Sequence, residues 1–362
     1  MKTLMVLAGG TGGHVFPALA VAELWRSAGG MVEWIGTEHG IENRLVPAKG
    51  IMLHRLAVHG MRGKGMVHRL KAPLPLLKAL LQSWRLLRRT EVVVVLGMGG
   101  YVTGPAGIAA RLAGKPLVLH EQNAVAGLSN RLLAPLATRV LTGFPGVFRG
   151  HRQHVFVGNP VRQEIIRPSP TPVAEPDGLK ILVLGGSQGA QALNEHVPEV
   201  LQCCWKRWKQ SGLRTLSVLH QTGERQRAET RNRYEGWGEG FSVEVSAFID
   251  NMQQAYLQAD LVICRSGALT VAELAAAAKP SILVPFPFAV DDHQTRNAEY
   301  LVQAGAAVLC PQPLLTEGAL EQALERLRSP AVRKEMAQNA FARAKVDATE
   351  TIVRICREVA LS

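Results

Sequence analysis

Two distant segments of this chain are built alike, and few architectures accommodate both. Residues 3–14 read T-L-M-V-L-A-G-G-T-G-G-H and residues 180–191 read K-I-L-V-L-G-G-S-Q-G-A-Q. Each is a continuous apolar run, then a glycine turn, then a helix-compatible stretch. Such a run, bounded by turn signals, predicts a strand buried on both faces of a parallel sheet. Further apolar runs follow the first segment at 31–35, 51–57, 92–96, 117–119 and 138–141, and the second at 215–219, 241–245, 260–263, 281–284 and 306–309. Helical patterns lie between most of them, which predicts α/β units. Two such series predict two doubly wound parallel sheets of Rossmann type. The stretch R-P-S-P-T-P-V-A-E-P-D-G at 167–178 makes a poor helix and a poor strand, so it reads as a linker. The expected domains are therefore 1–162 and 163–342, with mostly helix after about residue 316 and a last helix over about 343–362.

A chain of 362 residues with 47% apolar and 19% charged residues can bury a sizeable core, which excludes disorder. Its 41 basic and 29 acidic residues give a net charge of +12. Residues 1–162 hold 20 basic and 6 acidic residues, so the first half carries all of the excess. That half is expected to face something anionic. The five cysteines (Cys203, Cys204, Cys264, Cys310, Cys356) are odd in number and form no C-x-x-C pair. They predict a reducing compartment without a disulfide framework or zinc knuckle. The apolar run at the N-terminus is too short for a secretory signal. Val92 to Ala110 is uncharged for 19 residues, but five glycines and Pro105 break it into a strand, a turn and a helix start rather than a membrane span.

A glycine loop between a strand and a helix N-terminus exposes backbone N–H groups to which the helix dipole draws anions. Neither loop here holds the Gly-Lys-Ser/Thr of a triphosphate-binding loop. Nor does either complete the dinucleotide fingerprint: the first has Val15 at the third glycine position, and the second has Leu184 at the first. Nicotinamide chemistry is thereby disfavoured. With aromatic residues at 5%, stacking platforms for nucleic acid are few, and no nucleic-acid partner is expected.

Seven motifs then occur in order: G-G-T-G-G-H-V-F-P-A (9–18), G-M-G-G-Y-V-T-G-P (97–105), H-E-Q-N (120–123), G-N-P-V-R (158–162), G-G-S-Q-G-A (185–190), C-R-S-G-A-L-T-V-A-E (264–273) and P-F-P-F-A-V-D-D-H-Q-T-R-N-A (285–298). Together they resemble the bacterial lipid II-forming glycosyltransferases of peptidoglycan synthesis over nearly the whole chain. The resemblance implies a GT-B fold, with the active site in the cleft between two Rossmann-like domains and the last helix returning to the first. It implies UDP-GlcNAc as donor on the second domain. The implied acceptor is undecaprenyl-pyrophosphoryl-muramoylpentapeptide, on the first. The implied reaction is β-1,4 transfer with inversion, without cofactor or metal, at the cytoplasmic face of the inner membrane. Another GT-B enzyme, such as a UDP-GlcNAc epimerase or a glycolipid synthase, is the alternative.

By the same resemblance, Ser187 and the helix start at Ala268, Leu269 and Thr270 hold the pyrophosphate, and the donor contacts run on through Val271 and Ala272 to Glu273. A hydroxyl and free N–H groups at a helix N-terminus suit a leaving diphosphate; helix capping is the structural alternative for both hydroxyls, and the two roles can coexist. Glu273, alone in the apolar stretch L-T-V-A-E-L-A-A-A-A, would take the two ribose hydroxyls. Ile249 would meet uracil through its backbone, and Arg162 the nucleotide or its phosphates. Gln294 would bond the GlcNAc hydroxyls, while Thr11, Gly12, Gly13 and Asn123 would close on the sugar. Asp291, Asp292 and His293 form too short a cluster to predict a metal site. The acceptor hydroxyl must lose a proton. His14 is the first candidate base and Glu121 the second; His14 as a cap or as an orienting group is the structural alternative.

Between Asn43 and Thr90 there is no acid and there are 11 Lys or Arg residues. Within that stretch a helix is expected to begin near Pro75, with Leu77, Leu80, Leu81, Trp84 and Leu87 on one face and Lys71, Lys78 and Arg85 along its flank. This pattern fits either a crossover helix on the sheet or an interfacial helix on an anionic membrane, and the lipid-linked acceptor favours the second.

Overall fold

A computed structural model describes residues 2–57, 73–89, 91–167, 169, 178–185, 190–316 and 318–361. The chain divides into two compact units, Met1–Val161 with Val346–Ser362, and Arg162–Lys345.

The first unit runs β1 (Thr3–Ala8), α1 (Gly12–Ser27), β2 (Met31–Thr37), α2 (Glu42–Ala48), β3 (Met52–Leu56), α3 (Pro73–Arg89), β4 (Val92–Gly99), α4 (Thr103–Leu112), β5 (Leu117–Glu121), α5 (Leu128–Leu133), β6 (Arg139–Thr142) and β7 (His154–Phe156). These strands form a parallel sheet in the order β3-β2-β1-β4-β5-β6-β7. Every residue of β1 is buried, which explains its unbroken apolar run. Alternate side chains point to opposite faces. Leu4 and Val6 pack with Val15, Ala18 and Ala22 of α1. Met5 and Leu7 pack with Ala79 of α3 and Ala106 and Ala109 of α4. Each buried Leu, Val or Met among them contributes about 1.5–3 kcal/mol. The last helix packs on the α1 side through Ile352, Val353, Cys356 and Val359. Arg357 in that helix lies over the Trp25 ring and donates to Ala28 O at 3.2 Å. Strand β7 was not foreseen, because H-V-F is too short to show a period.

The expected single apolar face of α3 is divided in the structure. Ala79, Ser83 and Leu87 are buried, and Leu76, Leu80 and Trp84 pack partly buried against the same core. Leu74, Leu77 and Leu81 point outward at 74%, 54% and 41% exposure. Trp84 and Leu87 therefore serve the core rather than an outer surface. Leu77 and Leu87 stand about 80° apart around the helix, and only the Leu87 edge of the expected stripe turns to the core.

The second unit contains β8 (Gly178–Leu184), α6 (Gln191–Gln210), β9 (Thr215–Gln221), α7 (Arg227–Arg233), β10 (Phe241–Ser246), α8 (Met252–Gln258), β11 (Leu261–Cys264), α9 (Ala268–Ala276), β12 (Ser281–Leu283), α10 (His293–Val302), β13 (Ala307–Leu309), α11 (Ala319–Leu327) and α12 (Pro330–Ala342). The last helix of the first unit is then α13 (Ala348–Val359). The second sheet is also parallel, in the order β10-β9-β8-β11-β12-β13. Leu179, Ile181 and Val183 of β8 pack with Leu193, Val197, Trp205 and Trp208 of α6. All five cysteines are free thiols, and four are buried. Burial pushes the Cys356 thiol up to about 12, so it is chemically inert at neutral pH.

In each sheet the chain reverses direction once: between β1 and β4, and between β8 and β11. Ligands of doubly wound sheets bind outside the carboxyl ends of the strands at such a point.

Candidate functional site

In the first unit the reversal point is lined by the two glycine loops that follow β1 and β4. The first, Gly9–Gly13, enters α1 at Thr11, which caps with its backbone but not its side chain. His14 and Val15 direct their backbone N–H groups to Thr11 O. Gly100, at φ +87°, brings the second loop against the first: a Cβ there would stand 2.5 Å from Gly9 O. Gly99, at φ +105°, leaves room for the His14 ring, whose Nδ1 would lie 2.7 Å from a Cβ at that position.

The first loop is anchored by an acid that none of the seven motifs contains. Glu42, fully buried at the start of α2, accepts the Gly10 N–H at Oε2 (3.0 Å). Its Oε1 accepts the Thr37 N–H and hydroxyl at 2.8 and 2.6 Å. Gly9 and Gly36 pass so close to this carboxylate that a Cβ on either would collide with it. The only signal in E-H-G-I-E-N was the glycine beside the acid.

The H-E-Q-N motif closes β5. His14 Nδ1 meets Gln122 Oε1 at 3.2 Å. Asn123 is half-buried and donates its backbone N–H to Glu121 Oε1 at 3.0 Å. The buried Glu121 also accepts from Gly127 N–H and Asn130 Nδ2, both at 2.9 Å. Its carboxylate braces the turn from 121 to 130 with both oxygens. His14, half-buried, makes no hydrogen bond through Nε2 among the described residues.

In the second unit, β11 leads through Ser266 and Gly267 into α9. The first intrahelical bond runs from Val271 N to Gly267 O, and no side chain caps the helix. The backbone N–H groups of Ala268, Leu269 and Thr270 are therefore the open donors of a helix N-terminus. The Ser266 hydroxyl just before it is buried without a hydrogen-bond partner among the described residues. Glu273 lies further along α9, with its side chain 18% exposed. Tyr256 OH donates to Oε2 at 3.1 Å and Arg162 Nη2 to Oε1 at 3.2 Å. Burial raises the Glu273 carboxyl above its ordinary range, and Arg162 opposes that rise. Arg162, expected on the nucleotide, thus sits on the carboxylate.

Ile249 is buried in the turn after β10, beside Phe248 at 56% exposure. Gln294, at the start of α10, accepts the Phe286 N–H through Oε1 at 2.9 Å. This fixes the amide so that its nitrogen is the outward group. Arg265 donates to the carbonyls of Val284 and Pro285 at 3.1 and 3.0 Å and lies over the Phe286 ring, shaping the same loop. His293 Nδ1 is turned to Val290 O and Asp292 accepts from Thr295. Among the described residues, no group of three His, Cys, Asp or Glu side chains is arranged to hold a metal ion. Ser187 and Lys71 lie outside the described residues.

The outward leucines of α3 continue onto neighbouring helices. Ile108 and Leu112 of α4 and Leu128 and Leu132 of α5 are exposed, Leu112 and Leu132 by 63% and 67%. Lys78, Arg85 and Arg88 of α3, Arg111 of α4 and Arg131 of α5 are exposed on the same three helices. Sequence reading found the α3 part alone; the signal on α4 and α5 was one apolar pair at i, i+4 on each. No helix among the described residues is long and apolar enough to cross a membrane.

Comparison with known proteins adds to these observations. Residues 4–142 match the glycosyltransferase family 28 N-terminal domain, and residues 180–352 its C-terminal domain. The UDP-N-acetylglucosamine–N-acetylmuramyl-(pentapeptide) pyrophosphoryl-undecaprenol N-acetylglucosamine transferase of Pseudomonas syringae is 49% identical over 99% of this chain and 98% of its own length. The protein of the same description from Chromohalobacter salexigens is 50% identical over 99% of this chain and 97% of its own length. The crystal structure of Acinetobacter baumannii MurG superposes with a TM-score of 0.85 at 39% identity, covering 99% of this chain and all of that one. A putative UDP-N-acetylglucosamine 2-epimerase from Listeria monocytogenes matches at a TM-score of 0.64 with 13% identity, over 97% of this chain and 95% of that one, which is likeness of fold alone.

Proposed function

The chain belongs to the family 28 glycosyltransferases, within the group that transfers N-acetylglucosamine to lipid-linked muramoyl pentapeptide, and from that membership we propose how its residues carry the reaction. The fold is GT-B, and the enzyme moves GlcNAc from UDP-GlcNAc to undecaprenyl-pyrophosphoryl-muramoylpentapeptide in peptidoglycan synthesis.

The second unit, in this reading, binds the donor. The observation that carries it is the start of α9: three uncapped backbone N–H groups, then a half-buried carboxylate within the same helix. The N–H groups and the helix dipole take the diphosphate and stabilise it as it leaves. Ser187 and the Thr270 hydroxyl add to that grip. Each oxygen of Glu273 has one donor already, from Tyr256 or Arg162, and keeps a lone pair for a ribose hydroxyl. Arg162 acts through Glu273, keeping it ionised against its burial. Uracil meets the backbone at Ile249, and the outward amide of Gln294 meets the sugar hydroxyls.

The first unit presents the acceptor. His14 removes the proton from the acceptor C4 hydroxyl as that oxygen attacks the anomeric carbon. The attack occurs in one displacement, so configuration inverts. Glu121 has both oxygens engaged in the 121–130 turn, which supports His14 over it as the base. Developing charge is met by backbone dipoles, so no cation is required.

The polyprenyl-linked acceptor demands contact with a bilayer. The leucine surface of α3, α4 and α5, rimmed by cations, fits the acyl boundary of an anionic leaflet, here the cytoplasmic face of the inner membrane.

Transfer of labelled GlcNAc from UDP-GlcNAc to the lipid-linked acceptor, with and without chelator, tests this reading. Activity should survive chelation. His14→Ala should lower kcat by about two orders of magnitude or more while the donor KM stays within a few-fold. Full turnover in that variant removes His14 as the base.

A further inference from the structure

A histidine acts as a base only through a ring nitrogen that carries no proton. Which nitrogen that is depends on what the other one meets. In the first unit a chain of hydrogen bonds decides it, and the chain is read outward from backbone carbonyls that can only accept.

The Gly158 carbonyl can only accept, and His120 Nε2 lies 2.9 Å from it. That nitrogen must carry a proton. His120 is fully buried, and burial lowers its pKa to about 4, so the ring is neutral and has one proton only. Its Nδ1 is therefore an acceptor. The Met98 carbonyl also can only accept, and it lies 2.8 Å from one end of the Gln122 amide. That end must be the NH2 group. Its second proton faces His120 Nδ1 at 3.2 Å, with the His120 carbonyl farther off at 3.4 Å. Both amide protons are thus committed, and the amide oxygen is left facing His14 Nδ1 at 3.2 Å. An amide oxygen can only accept, so the proton of neutral His14 sits on Nδ1 and Nε2 is bare. Gln122 is held in this pose from behind, since Asn159 Nδ2 donates to its backbone carbonyl at 3.0 Å and its side chain is 1% exposed.

We propose that Gln122 and His120 are positioning residues that lock His14 in the Nδ1–H form and keep Nε2 ready to accept the acceptor's proton. The inference rests on His14 being the base, but the locked form is a property of the ring that can be measured without turnover. A free imidazole ring has no such partner and populates both forms.

Nuclear magnetic resonance of the full chain with nitrogen-labelled histidine distinguishes the two forms at a pH where His14 is neutral. The His14 signals are identified by their loss in His14→Gln. The intact protein should show a protonated Nδ1 and a bare Nε2. Gln122→Leu should populate the Nε2–H form and lower kcat about tenfold or more, with the KM for UDP-GlcNAc unchanged. His120→Asn sets an oxygen where Nδ1 stood, so it should keep the Nδ1–H form and hold kcat within about threefold, whereas His120→Leu should behave like Gln122→Leu. A proton on Nε2 of neutral His14 in the intact protein would overturn the proposal, and so would an unchanged His14 ring in a folded Gln122→Leu. Should either leucine variant fail to fold, the spectrum of the intact protein still decides. Undiminished turnover in His14→Ala would instead remove the base while leaving the locked ring in place, so the two failures are distinct.

Discussion

Removing the Glu42 carboxylate tests whether one buried acid holds the first glycine loop in shape. In Glu42→Ala the Gly10 N–H, the Thr37 N–H and the Thr37 hydroxyl lose their acceptor. The hydroxyl can turn to another partner and water can reach the exposed Gly10 N–H, but the Thr37 N–H, in a buried residue, has neither recourse. Each buried donor left unsatisfied costs about 1–3 kcal/mol. Loss of the loop contact at Gly10 adds to that and relief from burying a carboxylate offsets part of it, which leaves about 1–3 kcal/mol. For a unit of this size that corresponds to a Tm lower by about 2–12 °C. Glu42→Gln is the sharper probe. Its amide can offer oxygen to the two Thr37 donors or to Gly10, not to both. The better choice keeps Thr37 satisfied and turns NH2 toward the Gly10 N–H. The damage then falls on the loop that carries His14, with a stability loss of about 1–3 kcal/mol. Calorimetry should show a lowered transition for the first unit in both variants and an unmoved one for the second. Transfer assays should show kcat reduced and the donor KM unchanged. A first-unit Tm within about 1 °C of wild type in Glu42→Ala, together with normal kcat in Glu42→Gln, would refute the anchor.

Three further outcomes are expected. Gly99→Ala would push a Cβ to 2.7 Å from His14 Nδ1 at a backbone φ of +105°, so kcat should fall about tenfold or more in steady-state kinetics with the donor KM preserved. Glu273 has a raised pKa, and its ionised form is the one that accepts ribose hydroxyls, so UDP-GlcNAc affinity measured by calorimetry should weaken as pH falls, beginning above the ordinary glutamate range; Glu273→Gln should bind about 10–100-fold more weakly and show no such dependence. Replacing Leu77 and Leu81 together by Glu should weaken sedimentation with anionic vesicles by about tenfold or more, and leave UDP-GlcNAc binding unchanged.

The motifs and the architecture did not become legible in the same way. Strands buried on both faces write themselves as apolar runs, so V-V-V-V-L and L-M-V-L-A declared β4 and β1 without any knowledge of neighbours. The glycine loops were legible because close approach of backbone to backbone tolerates no side chain. Glu42 was not, because a buried and an exposed glutamate are the same letter; only the convergence of Gly10 and Thr37 on one oxygen pair distinguishes it. The two faces of α3 were misjudged for a related reason. Periodicity says that leucines line a helix, but whether Leu87 or Leu77 turns inward depends on where α4 lies.

The sequence by itself determined the class of fold, its two parallel sheets, and the motifs that identify the chemistry, since each is a matter of local period or of one residue type that alone fits. The tertiary structure decided which polar groups are satisfied by which. It put Arg162 on Glu273, spent Glu121 on a turn, and set Gln122 between His120 and His14. Those assignments depend on directed hydrogen bonds between residues far apart in the chain, and direction is a property that one-dimensional spacing does not carry.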